Sequence, residues 1–310
     1  MDSLLKPLIS FTLRLWLGVW LLVWLSTLMP AHAIGVSVVL SSEHPSYSTV
    51  AEAIKQQLAP SVSLHEWQAD TLPAALPEDD LLVAIGTKAL KTLLQRNLQQ
   101  PMLASFLPRR SYEETQQSFP HNGNISAVYL DQSMALQLRL IKQLAPHTKT
   151  IGSVFGPSSQ ADSARLYSAA YEQDLELHTV ALNPDDNPIA VLQPIIEQSD
   201  LFLAIPDQSA FNRASAKWSL FIALRARKAL IGFSEKYVDA GALAAVYSTP
   251  EQIGRQTAEA VDNYLENGIF PAPAHPRYFT VKVNDNTARL IGWPIPNAEQ
   301  LTRQLQEWMQ

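Results

Sequence analysis

Cysteine is absent from all 310 residues. The chain is therefore not a disulfide-stapled domain, cannot be tethered as a lipoprotein through a cysteine, and carries no thiol nucleophile. It also lacks a basic stripe, and with it the footprint for nucleic acid. The only adjacent basic clusters are Arg109-Arg110 and Arg225 with Arg227-Lys228. Runs of two or three charges are read more simply as solvated helix ends or loops than as phosphate sites. The histidines beyond residue 33, His44, His65, His121, His147, His178 and His275, form no pair at metal-ligand spacing, so no metal is expected. Neither a phosphate loop nor a dinucleotide fingerprint occurs, and no cofactor is expected. Gly152-Ser153-Val154-Phe155-Gly156 sets Ser directly after Gly, which is not the spacing of a nucleophile elbow. An enzyme is thus the weakest reading.

The one long apolar run is too short to make the chain a plain membrane protein. It covers Leu15 to Met29, 15 residues, against the roughly 20 needed to cross about 30 Å of hydrocarbon. Lys6 and Arg14 precede it and the small-residue step Ala31-His32-Ala33 follows, the order of a secretory signal peptide. Residues 1–33 are expected to be removed by cleavage after Ala33, with an uncleaved anchor as the alternative. The remaining 277 residues carry 21 basic and 28 acidic side chains, a formal charge of −7. That length suits one large or two medium domains burying their own cores without staples. An exported chain without cysteine fits a bacterial periplasm.

Strands and helices alternate along this mature part. Ile34 to Leu40 is a continuous apolar run followed by Ser41-Ser42 and a helical stretch from Tyr47 to Leu58. The unit recurs as Asp80 to Ile85, Gly86-Thr87 and a helix from Lys88 to Asn97, then the short strand Met102 to Phe106. After Asn122-Gly123 the pattern restarts. Strands at 125–130, 150–155, 175–181, 200–205 and 229–233 alternate with helices at 132–144, 161–173, 189–198 and 211–227. Strands apolar on both sides imply parallel sheets with helices on both faces. The expected fold class is α/β, with two doubly wound lobes and a ligand cleft between them.

Five strand ends carry short polar or glycine-containing turns: Ser41-Ser42, Gly86-Thr87, Gly156-Pro157-Ser158, Asp207-Gln208-Ser209 and Ser234-Glu235. In open parallel sheets, strand carboxyl ends gather on one edge, where helix starts present free N–H groups and ligands bind. Each turn taken alone is accounted for by capping and turn preference. Five of them in an exported two-lobed chain suggest one shared cleft.

The stretches Ala204-Ile205-Pro206-Asp207-Gln208-Ser209, Leu230-Ile231-Gly232-Phe233-Ser234, Gly241-Ala242-Leu243-Ala244 and Ile253-Gly254-Arg255-Gln256-Thr257-Ala258 carry a resemblance. In order and spacing they resemble the periplasmic substrate-binding components of ABC-type transporters, in the subgroup that includes tryptophan and tyrosine binders. The ending Phe279-Thr280-Val281-Lys282-Val283-Asn284, with Thr287-Ala288 and Ile291-Gly292, is similar to the family's last strand and helix. The resemblance implies a type I periplasmic binding protein, two α/β lobes joined by three crossovers. On that pattern residues 34–131 and 249–276 form the first lobe, and 132–248 with 277–310 the second. It further implies a monomer that closes on a small solute, such as an amino acid, and hands it to a membrane permease.

Several site residues follow from the same resemblance. Asp207 matches an acidic position after a second-lobe strand, where a carboxylate suits a ligand ammonium or hydroxyl; an N-cap or Asx-turn is the alternative. Gln208 stands where the family commonly has Asn. Gly86 and Thr87 match a Gly-Thr turn suited to a ligand carboxylate, and Ser41, Ser42 and Ser234 occupy equivalent turns. Tyr247 completes the set. Two places depart from the family: Phe106-Leu107-Pro108-Arg109-Arg110 replaces an Asp-Pro turn, and Phe155-Gly156-Pro157 replaces Tyr-Asn-Pro. Phe106 and Phe155 could each stack on a flat ligand, although core packing is the commoner use of an aromatic at a strand end. The two departures leave open a second function, a periplasmic sensor or adaptor read by a membrane receptor or kinase.

Overall fold

A computed structural model describes residues 35–121 and 123–309; the expected signal peptide lies outside them. Two parallel sheets form, each with the strand order of an open doubly wound fold. The first comprises β1 (Val36–Leu40), β2 (Leu64–Gln68), β3 (Leu81–Ile85), β4 (Met102–Leu107) and β5 (Ile125–Tyr129), ordered β2-β1-β3-β4-β5 and parallel throughout. Its helices are α1 (Pro45–Gln57), α2 (Thr87–Gln95) and α3 (Arg109–Ser118).

Burial alternates cleanly along these strands. Val36, Val38, Leu40, Val83, Ile85 and Leu103 enter one core, while Val39, Leu82, Ala84, Met102, Ala104 and Leu107 enter the core on the opposite face. This two-sided burial is why the strands read as unbroken apolar runs. β2 is the exception, a half-exposed edge strand with the sequence LHEWQ.

The second sheet repeats the plan. Its strands are β6 (Thr150–Phe155), β7 (Glu176–Ala181), β8 (Leu201–Leu203), β9 (Ala229–Gly232), β10 (Ala244–Tyr247) and β11 (Thr280–Val283), in the order β11-β10-β9-β8-β6-β7. All neighbours are parallel except β10 and β11. The helices α4 (Met134–Leu144), α5 (Ser163–Tyr171), α6 (Pro188–Gln198), α7 (Arg213–Ala226) and α8 (Glu235–Asp239) connect or flank these strands. The last helices, α10 (Asp285–Ile291) and α11 (Ala298–Met309), place Ile291, Leu301 and Leu305 in the core that also holds Ile151, Leu201 and Ile231.

Between them runs α9 (Pro250–Asn267), which returns to the first lobe. Ala258, Ala260 and Val261 lie in the core with Val38 and Ile54. The contact with α1 is close enough to require Gly254: a Cβ there would stand 2.6 Å from Ala53 Cβ and 2.7 Å from the Val50 carbonyl oxygen. Thr249 starts α9 with a reciprocal capping box, its hydroxyl accepting from Gln252 N–H while Gln252 Oε1 accepts from Thr249 N–H.

The chain passes between the lobes near Gln132, Ser248 and Tyr278, and one hydrogen-bonded chain ties these passages together. Gln132 Nε2 donates to Ser248 Oγ at 2.6 Å, and Ser248 Oγ donates to the Tyr278 carbonyl at 2.6 Å. Both side chains are buried. Among the described residues no helix is long and apolar enough to cross a membrane.

Candidate functional site

The carboxyl ends of β4 and β6 approach each other, as the contacts between lobes show. Arg109, at the start of α3 just beyond β4, pairs with Asp162, which ends the 3-10 turn at residues 160–162 beyond β6. Arg165 of α5 reaches back to Glu113 of α3 at 3.4 Å. The segments beyond β4 and β6 therefore meet across the lobes.

On the first-lobe side the structure brings Ser41, Gly86 and Phe106 together around Tyr47, a residue that the sequence pattern placed only in a helix. Ser41 is buried, and its hydroxyl accepts from the Ala89 N–H in the first turn of α2, at 2.9 Å. Gly86 precedes α2 with φ of 88°, the left-handed region that favours glycine. A Cβ at Gly86 would meet Ser41 Oγ at 2.5 Å and the Tyr47 ring at 2.8 Å. Thr87 and Lys88 follow, half-buried and exposed, with N–H groups at a helix start that have no intrahelical acceptor.

Phe106 has φ of 55° at a register shift in β4. The bulge turns its ring out of the strand alternation, so that it lies edge-on to Tyr47 with centroids 5.8 Å apart. It stays partly exposed. Ser42 is exposed, its hydroxyl accepting from the His44 N–H at 3.4 Å.

On the second-lobe side the expectations divide. Phe155 is 2% exposed and belongs to the core with Leu203 and Ile231. Its ring is not available to stack on a ligand, because the strand alternation turns it inward. Asp207 is also internal. One of its oxygens accepts from Ser158 Oγ at 2.7 Å and from Ser159 N and Oγ, both at 2.9 Å; the other accepts from Ser209 N at 2.8 Å and Ala210 N at 3.2 Å. Burial alone would raise its pKa, but the donors from Ser158, Ala210, Ser159 and Ser209 together hold it below the usual carboxylate value. The carboxylate locks the turn beyond β6 to the turn beyond β8 and has no free lone pair aimed at a ligand. Gly156 leaves it room: a Cβ there would stand 2.3 Å from Asp207 Oδ1.

Gln208 is exposed beside this lock, and Ser234 caps α8 through Tyr237 N–H at 3.4 Å while remaining partly exposed. Tyr247 is half-buried at the end of β10, and burial, with Glu235 adding, raises its pKa. The exposed or half-exposed candidates are thus Ser42, Thr87, Phe106, Gln208, Ser234 and Tyr247; Ser41, Gly86 and Asp207 shape the backbone beneath them.

Arg109 also departs from its expected place as a solvated basic residue. Its side chain is 10% exposed, fixed by Glu113 at 2.6 Å and by Asp162. Tyr112 beside it is buried, which pushes its hydroxyl up to about 12. Among the described residues no group of His, Asp or Glu could hold a metal ion.

Comparison with known proteins agrees with this architecture. No curated protein matches the chain. A conserved domain protein from Vibrio cholerae is 21% identical over 87% of this chain and 98% of its own, with a TM-score of 0.59. An ABC domain from Streptococcus pneumoniae in complex with L-Trp is 19% identical over 86% and 98%, with a TM-score of 0.59. The ligand-free, open structure of a substrate binding protein with adhesive properties from Clostridium difficile is 17% identical over 86% and 97%, with a TM-score of 0.67. At these identities the likeness establishes the fold, that of type I periplasmic binding proteins. The family model for ABC transporter substrate binding proteins matches residues 75–284, and the chain belongs to that family.

Proposed function

We propose that the protein works outside the cytoplasm, closes its lobes over a small amino-acid-like solute and delivers it, as a monomer, to an ABC-type permease. The observation that carries this reading is the first-lobe cluster of Tyr47 and Phe106 beside the start of α2. A helix start offers N–H groups and a partial positive charge to a carboxylate. An adjacent aromatic edge offers apolar contact to the rest of the molecule. The two lie within one turn-lined edge of one lobe, so a molecule with a carboxylate and a flat or apolar body matches both. Gln208, Ser234 and Tyr247 would supply the polar contacts from the second lobe. The solute held by the pneumococcal neighbour, L-Trp, has the same two chemical parts.

A thermal-shift screen of free amino acids and related carboxylates tests this. A ligand present at about 100 times its Kd adds about 2.7 kcal/mol to folded-state stability, so binding should register as a clear rise in Tm. Phe106→Ala should reduce that rise. A panel that leaves the wild-type Tm unmoved throughout would count against an amino-acid-like solute. The sensor or adaptor reading draws on the ion pairs between lobes, which engage the altered turn at Arg109; binding to a purified receptor in place of a permease would favour it.

A further inference from the structure

The four charges between the lobes form a closed ring. Arg109 contacts Glu113 on its own helix and Asp162 on the other lobe; Arg165 contacts Asp162 at 3.3 Å on its own lobe and Glu113 at 3.4 Å on the other. Signs alternate around the ring, and two of its four contacts cross between lobes. The Arg109 and Asp162 side chains are 10% and 15% exposed, so this crossing is sheltered from salt more than a surface pair would be. The ring is also fixed to the passage between lobes, because Arg109 N–H donates to Asp131 Oδ1 at 2.7 Å.

We propose that this ring is a reversible latch that biases the two lobes toward one another. Each charge has one partner in its own lobe and one across the gap. Opening breaks the two crossing contacts but leaves Arg109 with Glu113 and Arg165 with Asp162. No charge is stranded when the lobes part, and the large penalty of an uncompensated buried charge does not arise. A latch built this way biases the lobes toward one another without preventing their opening. None of its four residues belongs to the candidate solute cluster, so it stands or falls independently of which molecule the protein carries.

The absence of cysteine allows a direct test, since Lys55→Cys on α1 and Glu197→Cys on α6 would be the only labelling points on the mature protein; both positions are exposed. Spin-label distance distributions between them are measured without solute. Wild type should give a narrow distribution. Asp162→Asn should lengthen and broaden it, and Asp162→Glu should preserve it. Asp162 makes no side-chain cap bond to α5, so the Asn variant leaves the helix start intact. Arg165→Gln, at a half-exposed position, removes the other crossing contact and should broaden the distribution as well. About 1 M salt, where the screening length falls to about 3 Å, should weaken the exposed Arg165–Glu113 crossing and move wild type toward the Arg165→Gln distribution rather than the Asp162→Asn one. Superimposable distributions for wild type, Asp162→Asn and Arg165→Gln would overturn the proposal.

Discussion

Ser159 gives both its backbone N–H and its hydroxyl to one oxygen of Asp207, each at 2.9 Å. This joins two strand-end turns separated by 48 residues and makes Asp207 a structural residue of the second lobe. Asp207→Asn replaces one acceptor oxygen with an amide that cannot accept from the same donors. The expected loss is about 1.5 to 3 kcal/mol, the range for hydrogen bonds to a charged group, read as a lower urea midpoint at neutral pH. The folded pKa of Asp207 is depressed, so its stabilisation is present above the unfolded value of about 3.9 and is lost as pH falls through the folded value. The gap in stability between wild type and Asp207→Asn should therefore narrow in acid. A gap unchanged between neutral pH and pH values well below about 3.9 would show that the charge contributes nothing.

The passage between lobes offers a second prediction. Ser248→Ala removes the acceptor of the buried Gln132 amide and the donor to the Tyr278 carbonyl. Leaving a buried polar group unsatisfied costs about 1 to 3 kcal/mol. Thermal unfolding should show a lower Tm, and Ser248→Thr, which keeps the hydroxyl, should recover much of it.

Packing of α9 on the first lobe is tested at Gly254. Gly254→Ala places a methyl against Ala53 and the Val50 backbone. Both neighbours belong to α1, so relief requires the two helices to separate. Overpacking of this kind costs about 1 to 3 kcal/mol, and equilibrium denaturation should show it; an unaffected midpoint would mean that the helices yield freely.

Phe106 separates binding from stability. Its ring is half-exposed and meets Tyr47 edge-on. Aromatic contacts are worth about 0.5 to 1.5 kcal/mol beyond area burial, so Phe106→Ala should weaken solute binding about two- to tenfold by calorimetry while leaving the fold intact. Phe155→Ala should do the reverse, unfolding the second lobe more easily by about 3 to 5 kcal/mol because its ring is in the core.

Most strands were legible because burial on both sheet faces leaves continuous apolar runs, as in Leu81–Ile85. β2 is not legible because an edge strand such as LHEWQ buries little, nor is α3, because RRSYEETQQS has few apolar positions to mark a period. The turn residues were legible as a set, but their division of labour was not. Whether Asp207 faces a ligand or its own turn depends on Ser158 and Ser159, about fifty positions away in sequence, and no local pattern contains that information. The same holds for Arg109, whose partner Asp162 lies on the other lobe, and for Tyr47, whose ring meets Gly86 and Phe106 far along the sequence.

Native mass spectrometry of the folded protein as isolated from cells tests the central claim most directly. If the lobes close over a small solute, the folded protein should carry a one-to-one small-molecule adduct, or acquire one when mixed with the amino-acid panel, and the adduct should be diminished in Phe106→Ala. A folded protein that shows only the bare chain mass, both as isolated and after mixing with the panel, would contradict it.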